Sequence, residues 1–85
     1  MDATYSIRRV EPGDLQRLHE IREAAFKPVF RSFRRLLGEE IADIAIASEE
    51  REQWEYLDRI CGPDSDREVY VVKQGSEIIA FCALA

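Results

Sequence analysis

The stretch from Arg67 to Ala85 constrains the fold more than any other part of this 85-residue chain. Two runs rich in β-forming residues flank a short turn centred on Gly75, an arrangement typical of a β-hairpin. From Ile78 to Leu84 the second run carries no charge. Because alternate strand residues point to opposite faces, both faces of this strand are predicted to be apolar. Such a strand normally lies in the middle of a sheet that is covered on both sides.

The same strand also indicates whether the domain associates with another chain. Strict alternation places Ile78, Ala80, Cys82 and Leu84 on one face and Ile79, Phe81 and Ala83 on the other. We expect no further strand and no second covering layer from these 85 residues, and uncovered edges and apolar faces promote association. We therefore expect a homodimer, or pairing with a partner chain, through this C-terminal strand. The predicted interface residues are Ile78, Ile79, Phe81, Cys82 and Leu84.

The first half of the chain predicts a strand followed by a long helix. Tyr5–Val10 alternates like a short strand, and Asp14 is a good N-cap for the helix that follows. Apolar residues recur at spacings of three and four from Leu15 to Leu37. Pro28 interrupts this stripe, and a proline inside a helix costs ~3 kcal/mol. We therefore expect a kink or break beside Pro28, and an end of the helix at Gly38.

The middle of the chain predicts two shorter helices. The first spans Glu39–Ala47, and Ser48 is a suitable N-cap for the second, which stops before Gly62. Trp54 belongs to the apolar stripe of that last helix. We expect Trp54 and Phe26 to be buried between the helices and the sheet.

The order of these elements, a strand, two or three helices and a hairpin, predicts a single α+β domain over residues 1–85. Its three strands form an antiparallel sheet, and the helices cover one face of that sheet. Tyr70 falls in the central strand and is expected in the core.

Four stretches occur in an order that a known family shares. They are Ile7–Leu15, Phe30–Ile44, Ser48–Arg51 with the nearby Trp54, and Tyr70–Phe81. In this order they resemble the first strand, the bend between the first two helices, the following helix and the hairpin of the N-terminal half of a GNAT-superfamily N-acetyltransferase. The family often has Gly where this chain has Ala80.

This resemblance implies the half-fold of an acetyltransferase without its full chemistry. In the family, a Gly-rich turn leading into a helix binds the acetyl-CoA pyrophosphate through backbone N–H groups. The four glycines of this chain are isolated, and the family's later general acid, often a tyrosine, has no match. We therefore predict no catalytic and no cofactor-binding residues here, although the complete family fold uses acetyl-CoA. The family's helix bend forms one wall of the acceptor pocket, so the resemblance implies that Phe30, Phe33 and Arg34 shape the choice of acceptor.

Composition excludes several function classes. The net charge of −5 argues against a nucleic acid partner, and no apolar run is long enough for a membrane span. The N-terminus does not resemble a signal peptide, so we expect a cytoplasmic protein in which Cys61 and Cys82 are reduced, buried thiols. His19 is the only histidine and is predicted to be structural, with no metal site. Asp64 and Asp66 are predicted to be ordinary loop residues.

Three interpretations stay open from the sequence. The chain is a truncated GNAT-like N-terminal region that is not competent for catalysis alone, a small homodimeric or partner-binding module, or one half of an enzyme reassembled with a separate chain. The sequence names no acceptor substrate.

Overall fold

The computed structural model describes residues 4–85 and has the predicted α+β architecture. Three strands form one antiparallel sheet in the order β1-β2-β3, and two long helices pack against one face of it. The elements in chain order are β1 (Tyr5–Arg9), a 3₁₀ turn (Pro12–Asp14), α1 (Leu15–Leu37), α2 (Glu39–Ile60), β2 (Glu68–Gln74) and β3 (Glu77–Leu84).

The central strand β2 determines which residues face the helices. Val69 and Val71 of β2 are fully buried, and their cross-strand partners in β3, Ala83 and Phe81, lie on the same side of the sheet. The alternate residues form the opposite side, which no helix of the described chain covers and which we call the open face. Its apolar and aromatic members are Tyr5, Ile7, Tyr70, Val72, Ala80, Cys82 and Leu84. Tyr70 is only half-buried on this face, so its predicted place in the core is wrong.

A β-bulge changes the expected alternation of β3. Val72 pairs with Ala80 but Lys73 pairs with Ile78, so Ile79 is an extra residue without a cross-strand partner. The extra residue reverses the side to which the beginning of the strand points. Ile78 therefore lies beneath the helices, with 8% of its surface exposed, instead of sharing a face with Cys82 and Leu84. The predicted strict alternation of β3 is wrong at this point.

The helix α1 continues through Pro28 without a break. Because proline has no N–H, the carbonyl of Ala24 loses its helical hydrogen bond. Both Pro28 and Ala24 are exposed. Water can therefore satisfy that carbonyl, and the surrounding helix keeps its hydrogen bonds. The predicted end at Gly38 is confirmed, since the Gly38 N–H donates to the Arg34 carbonyl at 3.1 Å and the helix ends there.

The two predicted shorter helices form a single helix, α2, so the predicted interruption between Ala47 and Ser48 is wrong. The segment from Glu39 to Ile60 contains no glycine or proline. Helix propagation is favourable once a helix has formed, and a serine inside it costs only tenths of a kcal/mol. Ser48 is therefore a good cap in isolation but an ordinary interior residue here.

Asp14 has a different role from the predicted one. It precedes α1, but its side chain makes no capping hydrogen bond to that helix. Its carboxylate accepts two hydrogen bonds from the Arg8 guanidinium, at 2.7 and 3.1 Å, and one from the Glu11 N–H at 2.7 Å. These contacts tie the end of β1 to the start of α1. The hydrogen bonds from Arg8 hold the pKa of Asp14 below its usual value.

The core lies where the first third of α1 and the last third of α2 cover the sheet. Its buried apolar residues are Leu18, Leu57, Ile60, Val69, Val71 and Ile78. Phe26 is half-buried, whereas Trp54 is 43% exposed, so the predicted burial of Trp54 in the core is wrong.

The far ends of the two helices lie away from this core. The radius of gyration is 15.3 Å, whereas a typical domain of this length has about 12 Å. Large apolar residues in the second half of α1 and the first half of α2 stay exposed; they are Val29, Leu36, Leu37, Ile41 and Ile44. Neither helix within residues 4–85 is long and apolar enough to cross a membrane.

Candidate functional site

An open cleft of about 320 Å³ lies between α1, α2 and the edge strand β3. Its walls are mainly apolar, and the residues that line it are Ile21, Arg22, Ala25, Phe26, Gln53, Tyr56, Leu57, Ala80 and Phe81. A mostly apolar cleft with a few polar groups is the usual form of a small-molecule site.

Arg22 is the charged residue of this cleft and is only 5% exposed. Its Nε donates a hydrogen bond to His19 Nδ1 at 3.4 Å. Its two terminal nitrogens, Nη1 and Nη2, are shielded from solvent and have no hydrogen-bond partner among residues 4–85. The nearest carboxylates are those of Glu23, 3.5 Å from Nη2, and Glu50, 3.8 Å from Nη1, and neither forms a hydrogen bond. A buried guanidinium is normally fully hydrogen-bonded, so the terminal nitrogens of Arg22 have unused hydrogen-bond donors.

His19 holds Arg22 in place through a short polar chain. His19 is 3% exposed, and its Nε2 lies 2.9 Å from Asp58 Oδ1. Because Nδ1 accepts the hydrogen bond from Arg22, the ring proton belongs on Nε2, which donates it to Asp58. The ring stacks on Trp54, with centroids 3.7 Å apart, and the Arg22 guanidinium lies 5.8 Å from the centroid of the same indole.

The sequence did not indicate this cluster, because its members belong to two helices that are far apart along the chain. Spacing does group them within each helix: His19 and Arg22 are three residues apart, and Trp54 and Asp58 are four apart, so each pair shares a helix face. Recognising the site would have required the register between the antiparallel helices. The placement of His19 between the helices is compatible with the structural role predicted for it.

The residues that the resemblance assigns to an acceptor pocket lie farther along α1. Phe30 and Phe33 are half-buried and continue a row of tilted rings that starts at Phe26, with centroid distances of 5.6 and 6.1 Å. Nη1 of Arg34 donates to both Glu39 and Asp43 at 2.8 Å, and these contacts raise the pKa of Arg34. Of this row only Phe26 lines the cleft, so the structure does not bring Phe30, Phe33 and Arg34 to it.

The predicted interface residues of β3 fall on different sides of the sheet. Ile78 and Phe81 are on the helix-covered side, Ile79 is the bulged residue, and Cys82 and Leu84 lie on the open face. Leu84 is 51% exposed. The free edge of β3 next to the open face is therefore available, but Ile78 belongs to the core.

The two cysteines differ in environment. Cys61 is half-buried, and burial raises the pKa of its thiol. Cys82 is exposed, so its predicted burial is wrong. Asp64 and Asp66 are exposed outside the helices and strands, and residues 4–85 contain no group of three metal-ligating side chains.

The chain matches no family model, and no curated protein or solved structure is significantly similar to it. The resemblance to the GNAT superfamily therefore stays a prediction. Two features of the described residues remain as functional candidates: the cleft beside Arg22, and the β3 edge with the open face.

Proposed function

We propose that this chain is a GNAT-like half-fold that associates with a second copy through β3 and the open face, and that it does not transfer acetyl groups alone. The observation that carries the proposal is the position of β3 at the edge of the sheet, without a charge between Ile78 and Leu84. An edge strand presents unpaired N–H and C=O groups. Lysine, proline or a bulge often protects such an edge; β3 has no lysine or proline, and its bulge is confined to Ile79.

The bulge determines which part of β3 is suited to pairing. It twists the strand at Ile79 and leaves Ala80–Leu84 as the regular part of the edge. Antiparallel pairing of this segment with its copy places the two-fold axis at Cys82. The single charged residue of β3, Glu77, is then about 34 Å from its copy, because each lies five residues of ~3.4 Å from the axis. No like charges meet in this arrangement.

The open face adds apolar surface to the same interface. Pairing at β3 joins the two sheets into one of six strands, and the β3 side chains of both open faces become neighbours. Leu84 is half-exposed in the single chain, and burying such residues is what stabilises association. A second copy is the favoured occupant because the apolar, charge-free segment is complementary to itself.

The test compares two leucines with the same substitution. Leu84→Lys removes an apolar side chain from the paired edge and places there a charge of the kind that protects edge strands from pairing, whereas Leu36→Lys changes a 77% exposed residue of α1. In sedimentation equilibrium we expect dimers for the wild type and Leu36→Lys, and monomers for Leu84→Lys. Circular dichroism should show that both variants are folded, since both residues are exposed. Equal masses for all three proteins would contradict the proposal.

Cys82 tests the register directly. Residues opposite each other in antiparallel strands have Cα atoms about 4.5–5.5 Å apart, which lies within the range that a disulfide spans. Mild oxidation should therefore produce a covalent dimer in the wild type and in Cys61→Ser, but none in Cys82→Ser. A covalent dimer that depends on Cys61 instead would place the interface elsewhere.

The proposal that the single chain does not transfer acetyl groups rests on its glycine pattern. The four isolated glycines provide no backbone cradle for a pyrophosphate, so we expect no saturable binding of acetyl-CoA in isothermal titration. A stoichiometric site with micromolar affinity would contradict this part. The proposal also places the chain in the cytoplasm, where its two free thiols would stay reduced.

A further inference from the structure

The cleft between α1, α2 and β3 combines apolar walls with a buried cation, Arg22, whose terminal nitrogens lie near two carboxylates but form no hydrogen bond among the described residues. Only 5% of the Arg22 surface is exposed, and both terminal nitrogens are without hydrogen bonds among the described residues. Leaving the donors of a buried charged group without hydrogen bonds is unfavourable, so an anion that accepts hydrogen bonds from these nitrogens in place of the contact with Glu50 stabilises the site. We propose that the cleft binds an amphipathic monoanion, an alkyl or aryl carboxylate, with Arg22 as the residue that binds the carboxylate.

The geometry of Arg22 favours a carboxylate. Its two nitrogens without hydrogen bonds are Nη1 and Nη2, the pair that can donate two parallel hydrogen bonds to the two oxygens of a carboxylate. The third nitrogen, Nε, is already committed to His19, which is fixed by Asp58 and stacked on Trp54. The guanidinium plane is therefore held before a ligand arrives, and less side-chain entropy is lost on binding.

The surrounding charges favour a single negative charge. The carboxylates of Glu23 and Glu50 lie 3.5 and 3.8 Å from the terminal nitrogens, and Asp58 lies behind His19. Because the terminal nitrogens are shielded from solvent, a ligand reaches them when the Glu50 side chain, which is 39% exposed, moves aside into solvent. A monocarboxylate then replaces one negative charge with another, whereas a doubly charged phosphate adds a second charge that Glu23 and Asp58 repel. Gln53 is a half-buried residue of the cleft, and its amide donates a hydrogen bond to Glu49 at 3.0 Å.

The rest of the cleft suits the apolar part of the ligand. Ile21, Phe26, Leu57 and Phe81 form its walls, and its volume of about 320 Å³ is at the lower end of small-molecule sites. A chain of six to ten carbons is therefore the expected size. Each methylene that is buried should strengthen binding about fourfold until the cleft is full.

Octanoate is the probe, with 1-octanol and acetate as matched controls. Octanol has the same chain without the charge, and acetate has the charge without the chain. In a ¹H–¹⁵N NMR titration at pH 7, octanoate should shift the Arg22 Nε–Hε signal and the amides of the cleft in a saturable way. We expect octanoate to bind at least about tenfold more tightly than either control, since both halves of the ligand contribute. Equal affinities for octanoate and octanol, or no saturable shift with octanoate, would overturn the proposal.

Three variants locate the site. Arg22→Met keeps the length and burial of the side chain but removes the charge, and it should abolish the preference for octanoate over octanol. Ala25→Phe fills the cleft from an exposed position and should abolish octanoate binding while leaving Arg22 intact, which keeps the test valid if Arg22→Met fails to fold. Glu50→Gln removes the competing carboxylate and should tighten octanoate binding several-fold. Octanoate binding that is unchanged in Ala25→Phe would show that the ligand lies elsewhere and would overturn the proposal.

Strand pairing and ligand binding can be measured separately. The same titration in the Leu84→Lys background uses a chain whose β3 edge is blocked. Octanoate should still bind there, because Arg22 and most of the cleft walls belong to the helices. Loss of octanoate binding in this background would contradict a site that is complete within one chain.

Discussion

Gly38 joins α1 to α2 in a backbone conformation that other residues rarely adopt, and replacing it with alanine tests the helical hairpin. Its φ is 81° and its ψ is 166°, values that are found almost exclusively in glycine. A Cβ at this position would meet no neighbouring atom within 4 Å, so the cost of Gly38→Ala comes from the backbone alone. That cost is about 1–3 kcal/mol, a large part of the total stability of a domain of this length.

The assay is thermal unfolding followed by circular dichroism, at one protein concentration because association makes Tm concentration-dependent. For a domain of this size each kcal/mol shifts Tm by roughly 4–8 °C, so Gly38→Ala should lower it by roughly 5–20 °C. Gly13→Ala is the matched control, because Gly13 has no positive φ and open space around it. Its Tm should be unchanged or slightly higher. A Tm for Gly38→Ala within about 2 °C of the wild type would refute the reasoning.

Three further substitutions or measurements test contacts elsewhere in the molecule. Trp54 is half-exposed and stacks on one neighbouring ring. In urea unfolding, Trp54→Ala should therefore lower the free energy of unfolding by about 1–2 kcal/mol, whereas removing a fully buried aromatic side chain costs about 3–5 kcal/mol. The lowered pKa of Asp14 stabilises the fold above the unfolded-state pKa of about 4, and this stabilisation is lost as the pH falls through the lower folded-state pKa. The unfolding free energies of the wild type and Asp14→Asn should therefore differ at pH 7 and approach each other as the pH falls below about 4, and a constant difference down to pH 2 would contradict the role of Arg8. In dilute, monomeric protein a thiol reagent at pH 8 should modify Cys82 before Cys61, because burial raises the pKa of the Cys61 thiol.

Local sequence signals predicted most of the element types and the order of the fold. The turn at Gly75 and the β-rich runs beside it predicted the hairpin, and the spacing of apolar residues predicted α1. Gly38 marked the end of α1 because few other residues tolerate its backbone conformation. These features depend on neighbouring residues only, which is why the sequence was sufficient for them.

The errors arose where tertiary structure or cooperativity outweighed a local signal. Ser48 is a favourable cap, but helix propagation from both sides makes α2 continuous. Pro28 is tolerated inside α1 because the segment is exposed. The bulge at Ile79 leaves no clear mark in the sequence, yet it decides that Ile78 is in the core and Leu84 is not.

The candidate site was less predictable than the fold. The contacts of Arg22 and His19 with Trp54 and Asp58 depend on the register of two long antiparallel helices. Register is set by packing along the whole interface, and no local pattern fixes it. The open face was foreseeable, because the strand from Ile78 onward is too apolar for a solvent-exposed edge.

The pairing of β3 with a second copy is tested most directly by sedimentation equilibrium of the wild-type chain at high micromolar concentration. The predicted result is a mass of twice the 9.8 kDa chain, together with slow hydrogen exchange of those Ala80–Leu84 amides that point to the free edge, becoming faster on dilution. A monomer of 9.8 kDa whose Ala80–Leu84 amides exchange at the same rate at every concentration would contradict it.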